Sequence, residues 1–133
     1  MAFEGSTDDR LAIRELNDSY ADAVFRRDEV AWASHWHEAC SWNLAGTEVN
    51  GRQDVVAMWR QAMSQFSFVA FCASPGEIRA TSNRATARVY TSEVLIAADG
   101  KRRHVLGRYD DELVKEQGRW LFARRSYQIL HDS

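Results

Sequence analysis

The first half of the chain places its hydrophobic residues at the spacing of α-helices. Ser6 or Thr7 can cap a first helix, which is predicted to run to about Arg27. Asp28 can cap a second, shorter helix, and the Asn50-Gly51 pair turns the chain into a third. Apolar residues recurring every three to four positions support all three helices: Leu11, Leu16, Tyr20, Ala23 and Val24; Trp32 and Trp36; and Val55, Trp59, Met63 and Phe66.

The second half alternates apolar and polar residues with a period of two, which is typical of β-strands. A short strand is already predicted at residues 40–44, and the pattern becomes continuous from Ser67 onwards. Asp99-Gly100 and Gln117-Gly118 are turn pairs that separate the last three strands, so these strands should form an antiparallel meander. The strands predicted after the third helix cover residues 67–73, 77–80, 84–97, 103–115 and 119–130.

Helices followed by antiparallel strands predict an α+β fold, in which a curved antiparallel sheet wraps around the N-terminal helices as a cone. The open end of such a cone favours a ligand pocket. The whole chain, residues 1–133, is predicted to form one domain, with flexible ends at residues 1–7 and 131–133.

Composition narrows the classes of partner. The 17 Lys and Arg residues are interspersed with 19 Asp and Glu residues, and the formal net charge of −2 gives no basic surface for nucleic acid or a membrane. Neither a membrane span nor a signal peptide is apparent, so a cytoplasmic protein is expected. Cys40 and Cys72 are expected to be free, buried thiols, and no Cys/His spacing suggests a metal site. His35 and His37 cannot share an ion if both lie on a helix, because their side chains would point about 200° apart.

Three segments together resemble a known family: LAIRELNDSYADAVFRRDEVAWASHWHEACSW, NGRQDVVAMW and GRYDDELVKEQGRWLFARR. They are similar to the SnoaL-like branch of the nuclear-transport-factor-two-like superfamily, which includes scytalone dehydratase and hexachlorocyclohexane dehydrochlorinase. The resemblance implies a cone-shaped α+β domain, a homodimer formed through the outer sheet face, and a deep pocket for small hydrophobic ring compounds. It also implies that no metal or organic cofactor is needed.

In the dehydratase and dehydrochlorinase relatives, an Asp near the end of the first helix orients a His on the first strand after the third helix, and that His removes a proton from carbon. In this chain the Asp position falls at Phe25 and the His position at Cys72 or Ala73, so both halves of the dyad are missing. An assisting Arg on the last strand corresponds to Arg125, and a pocket tryptophan corresponds to Trp42.

Other residues are candidates for the missing base. Glu93 shares a strand face with apolar residues, which would place a carboxylate on the inner side of the sheet with a raised pKa, where it is a candidate base or a partner for Arg125. Asp111 is a second candidate, although a salt bridge to an Arg on the neighbouring strand is the plainer interpretation. His104 should face outwards. The residues expected to bind a ligand are Tyr20, Phe25, Trp42, Met63, Cys72, Val105, Tyr109 and Tyr127.

Three functions remain open at this stage. The first is a cofactor-independent lyase or isomerase that uses Glu93 or Asp111 as base, with Arg125 polarising an oxygen of the substrate. The second is a binding protein for a hydrophobic ligand, in which Phe25 and Cys72 replace the dyad. The third is an assembly subunit that holds a partner through the outer sheet face with His104 and Arg108, as in the small subunits of ring-hydroxylating dioxygenases.

Overall fold

The computed structural model describes residues 3–133, which form three helices and one six-stranded sheet. The strand order is β2-β1-β6-β5-β4-β3, and all neighbours are antiparallel except β1 and β6. This arrangement confirms the predicted α+β class with a curved sheet and N-terminal helices. The elements are α1 (Thr7–Arg26), α2 (Glu29–Ala33), β1 (Trp36–Leu44), β2 (Thr47–Asn50), α3 (Arg52–Met63), β3 (Phe66–Ala80), β4 (Arg84–Ala97), β5 (Arg102–Glu116) and β6 (Arg119–Asp132).

Local signals define the ends of the first two helices. The Ser6 side chain accepts a hydrogen bond from the Asp9 amide at 3.0 Å, which satisfies one of the free donors at the start of α1. α1 ends where Arg27 adopts a left-handed conformation, with φ of 53°. Asp28 then caps α2 by accepting from the Ala31 amide.

The segment after α2 differs from the prediction. The second helix ends at Ala33, and Trp36 begins β1 instead of continuing the helix. The rings of Trp32 and Trp36 nevertheless touch, with centroids 5.5 Å apart, because the chain folds back at Ser34 and His35. The helical argument against a shared metal site at His35 and His37 therefore does not apply to the folded chain.

One other boundary also differs from the prediction. β3 is one strand, since a register shift between Pro75 and Ile78 lets it continue through the expected break. Near the ends of the described range, Glu4 bonds to Ile78 and Ala80, and the Ser133 amide donates to the carbonyl of His104. Residues 1 and 2 of the predicted flexible start lie outside the described residues.

The hydrophobic core lies between the helices and the concave face of the sheet. Its centre is aromatic: Trp32 stacks on Trp59 with centroids 4.6 Å apart, and Trp36, Trp42 and Tyr20 surround this pair. Among residues 3–133 no helix is long and apolar enough to cross a membrane. Within the same range no cluster of three or more His, Cys, Asp or Glu side chains is arranged to hold a metal ion.

Candidate functional site

A cavity of about 170 Å³ opens between α1, α3 and the concave face of the sheet. Its volume is close to that of an engineered apolar cavity of ~150 Å³ that binds benzene, so it suits a ligand with one ring. The walls are aromatic and aliphatic, with one carboxylate. The lining residues are Tyr20, Val24, Trp42, Leu44, Trp59, Ala62, Met63, Phe66, Val69, Phe71, Glu93, Leu95, Tyr109 and Tyr127.

Most residues expected to bind a ligand lie in this cavity, and three do not. Tyr20, Trp42, Met63, Tyr109 and Tyr127 line its walls. Val105 is buried on the same sheet face, where it pairs with Glu93, but it does not reach the cavity. The remaining two are corrections: Phe25 is 44% exposed on the outer side of α1, and Cys72 is exposed on the convex face of the sheet.

In both places the preceding residue, Val24 or Phe71, faces the cavity instead. One step along a helix turns a side chain by about 100°, and one step along a strand moves it to the opposite face. Among the described residues no Asp and no His lines the cavity, so the dyad described for the relatives is absent from this pocket.

Among the residues that the structure describes, Glu93 is the only carboxylate that lines the cavity. On the sheet it stands between Phe71 of β3 and Val105 of β5, so both lateral neighbours on its face are apolar. No other group in residues 3–133 makes a hydrogen bond or ion pair to its carboxylate. Burial raises the pKa of Glu93 to about 7, and the nearby charge of Arg103 opposes this shift. The carboxyl can therefore exchange a proton near neutral pH.

Arg125 and Asp111, the other two predicted catalytic residues, are bound to each other behind the cavity wall. Nε of Arg125 donates to Oδ1 of Asp111 at 2.8 Å, and a second guanidinium nitrogen donates to Oδ2 at 3.0 Å. That second nitrogen also donates to Oδ1 of Asn17 at 3.2 Å. Arg125 is 0% exposed and Asp111 is 3% exposed. Both oxygens of Asp111 are occupied, so this pair holds the fold together and leaves no free base.

Aromatic rings separate this ion pair from the cavity. The guanidinium carbon of Arg125 lies 3.9 Å from the ring centroid of Tyr109 and 4.7 Å from that of Tyr20, and both rings line the pocket. The Tyr109 hydroxyl also accepts a hydrogen bond from the indole nitrogen of Trp42 at 3.1 Å. Burial raises the pKa of Tyr20 to about 12, so its phenol stays neutral at physiological pH.

Tyr127 occupies the space beside Gly107, which has no side chain. Gly107 faces the cavity side of β5, and a Cβ atom there would overlap the hydroxyl end of Tyr127. The rings of Tyr127 and Tyr109 pack at a centroid distance of 4.8 Å. Within residues 3–133, the buried hydroxyls of Tyr127 and Thr91 form no hydrogen bond of normal geometry.

The histidines lie away from the cavity. His104 is exposed on the convex face, where its Nε2 meets the Ser92 hydroxyl at 2.9 Å. His35 is 5% exposed, and its Nε2 meets the Ser19 hydroxyl at 2.8 Å. Burial lowers the pKa of His35, which favours the neutral form of its imidazole. His37 is hydrogen-bonded to Glu116.

Sequence reasoning missed several cavity residues that local patterns contained. Phe66 and Trp59 belong to the same apolar series at helical spacing as Met63, which was expected, and both face the pocket. Val69 and Phe71 alternate on β3 with outward residues, which is the signal that distinguishes Phe71 from Cys72.

Comparisons with known proteins agree on the fold. In solved structures the chain is similar to a protein from Novosphingobium aromaticivorans assigned as a scytalone dehydratase, at 18% identity and a TM-score of 0.87, covering 95% of this chain and 87% of that one. The hexachlorocyclohexane dehydrochlorinase of Novosphingobium barchaimii gives 14% identity and a TM-score of 0.85, covering 95% and 89%. A third structure, from Novosphingobium aromaticivorans and assigned as an aromatic ring hydroxylase, gives 24% identity and a TM-score of 0.87, covering 98% and 95%.

These neighbours are assigned different activities, and their sequence identity to this chain is low. They therefore establish the architecture of this chain and not its reaction. No match is found among curated proteins. The family model of the SnoaL-like domain matches residues 5–126, which is most of the chain. The chain therefore belongs to the SnoaL-like domain family.

Proposed function

We propose that this protein binds a small ring-containing molecule in the cavity and that Glu93 exchanges a proton with it, as a cofactor-independent lyase or isomerase. The observation that carries this proposal is the position of Glu93, a carboxyl with a pKa of about 7 on the wall of an otherwise apolar cavity. A general base is most effective when its pKa lies near the working pH. The dehydratase and dehydrochlorinase neighbours support lyase-type chemistry on this scaffold.

Proton exchange with carbon can be measured without knowing the product. A set of one-ring ketones and phenols would be incubated with the protein in D₂O, and deuterium incorporation into C–H positions would be followed by NMR. Wild type should accelerate exchange for at least one compound, and Glu93→Gln should abolish the acceleration. Glu38→Gln is the matched control, since Glu38 is exposed and far from the cavity lining. Equal exchange rates for wild type and Glu93→Gln would refute the role of Glu93.

A second candidate function is ligand binding without turnover. It is favoured by the apolar lining of the cavity, to which Val24 and Phe71 contribute and in which the described residues place no Asp or His. Native mass spectrometry of the untreated protein tests this function directly. A retained small molecule combined with no deuterium exchange would select binding over catalysis, and an empty protein that binds none of the compounds would count against both.

A further inference from the structure

The Glu93 carboxylate is half-buried on the wall of an apolar cavity and has no hydrogen-bond partner among the described residues. An ionised group in an apolar site is costly unless it is paired, and folded proteins normally supply hydrogen bonds or an opposite charge. No hydrogen bond to Glu93 exists among residues 3–133, and its flanking residues on the inner face, Phe71 and Val105, cannot provide one. The pocket therefore contains an unmatched negative charge whenever this group is ionised.

The cations nearest to the site are already engaged. Arg125 is held by Asp111 and Asn17 behind the cavity wall. The charge of Arg103 lowers the pKa of Glu93 but does not cancel the rise that burial causes. The guanidinium of Arg103 is itself bound to Asp132, with its Nε 2.9 Å from Oδ1.

The other titratable groups around Glu93 are neutral phenols. They are Tyr20 on α1, Tyr109 on β5 and Tyr127 on β6, and burial raises the pKa of each. The cavity residues contributed by α3 and β3 carry no titratable group. The chain thus leaves the counter-charge of Glu93 to be supplied from outside.

The remaining walls of the cavity also favour a cation. Seven of the lining side chains are aromatic, and an ammonium group is attracted to the faces of Trp, Tyr and Phe rings. An aromatic enclosure with one carboxylate is a known way to recognise organic ammonium ions, because the charge pairs with the carboxylate while its carbon substituents contact the rings. The aromatic residues are Tyr20, Trp42, Trp59, Phe66, Phe71, Tyr109 and Tyr127.

We infer that the ligand of this cavity is a small organic ammonium ion with one ring, whose nitrogen pairs with Glu93. The inference rests on the cavity proposed above as the ligand site. It deepens the second candidate function, ligand binding without turnover, because a carboxylate paired with an ammonium group is a weaker base.

Two compounds of nearly equal shape provide the test. Benzylamine carries the ammonium group, and benzyl alcohol is its neutral counterpart; both are titrated by calorimetry into wild type, Glu93→Gln and Glu38→Gln. At pH 8 wild type should bind benzylamine at least about tenfold more tightly than benzyl alcohol, the lower end for a charge-assisted hydrogen bond. Glu93→Gln should lose this preference while keeping its affinity for benzyl alcohol, which shows that the cavity is intact. Glu38→Gln should behave as wild type.

Acidity gives an independent measurement of the same pairing. At pH 5.5 Glu93 is mostly protonated, and the preference for benzylamine should fall well below its value at pH 8. If benzyl alcohol binds as tightly as benzylamine, or if the preference survives in Glu93→Gln, the inference is wrong and the cavity remains a ligand site. If neither compound binds wild type, both the inference and the proposed ligand site fail.

Discussion

Replacing Asp111 by Asn should be among the most destabilising single substitutions in this protein. The change keeps the shape of the side chain but leaves the charge of Arg125 buried without a counter-ion, since Asn17 offers only a neutral oxygen at 3.2 Å. Removing one member of a buried ion pair typically costs 3–5 kcal/mol. Asn can still accept one of the two hydrogen bonds, so we expect a loss of about 3 kcal/mol in the free energy of unfolding.

The surface supplies a matched control with the same bonding geometry. Arg60 binds Glu29 through two hydrogen bonds of 2.7 and 2.9 Å, with side-chain exposures of 62% and 38%, whereas the Arg125 and Asp111 side chains are 1% and 0% exposed. Water screens an exposed pair, so Glu29→Gln should cost far less than Asp111→Asn.

Urea unfolding followed by tryptophan fluorescence measures both losses, and added salt separates them further. In 1 M NaCl the small effect of Glu29→Gln should shrink, while the effect of Asp111→Asn should remain. A cost below about 1 kcal/mol for Asp111→Asn would refute the view that this pair is desolvated and structurally essential. Arg125→Met should reduce the free energy of unfolding less than Asp111→Asn does. Burial raises the pKa of Asp111, and the charge of Arg125 opposes this shift. Without that charge the carboxyl can take up a proton and become neutral.

Three further predictions address the cavity and the thiols. Gly107→Ala should cost about 1–3 kcal/mol in urea unfolding because its Cβ meets Tyr127, and an added Tyr127→Ala should relieve that clash; additive costs would contradict the contact. The pKa of Glu93 is raised from 4.5 to about 7, so between pH 4.5 and 7 the folded state binds more protons than the unfolded state. The free energy of unfolding should therefore fall as the pH rises across this range, by about 3 kcal/mol at most. This fall should occur in wild type but not in Glu93→Gln. A thiol reagent should modify Cys72 in the native protein and Cys40 only after unfolding, because Cys72 is exposed and Cys40 is buried; two fast-reacting thiols under native conditions would be inconsistent with this fold.

The last three strands were predicted well because their turns are local. At Gln117-Gly118 both residues have positive φ, of 51° and 76°, which suits a two-residue hairpin whose second position is Gly. The first helix was also found from its own cap, since the Ser6 side chain bonds within α1. Features determined by neighbouring residues in the sequence could be predicted.

Features determined by distant residues could not be predicted. Trp36 continues a helical pattern in the sequence. In the structure the segment that begins at Trp36 is a strand, because Trp36 pairs with Phe122 of β6. Pro75-Gly76 signals a break, yet pairing with β4 resumes beyond it as a bulge.

The site was predictable to the level of a strand face. Alternation along β4 indicated that Glu93 faces inwards, and the structure places it in the cavity. The resemblance pointed to Phe25 and Cys72, whereas the side chains that line the cavity are those of the preceding residues, Val24 and Phe71. Nothing in the sequence indicated that the Glu93 carboxylate would lack a partner.

The parallel pairing of β1 with β6 has a consequence for how the chain folds. β6 lies between β1 and β5, so the β2-β1 ribbon joins the rest of the sheet only through it. Trp36 must therefore find Phe122 across most of the sequence before the concave face is complete. Domains dominated by such long-range contacts fold in milliseconds to seconds, far more slowly than helical bundles. On the ribosome, the aromatic core should stay open to solvent and to chaperones until β6 has emerged.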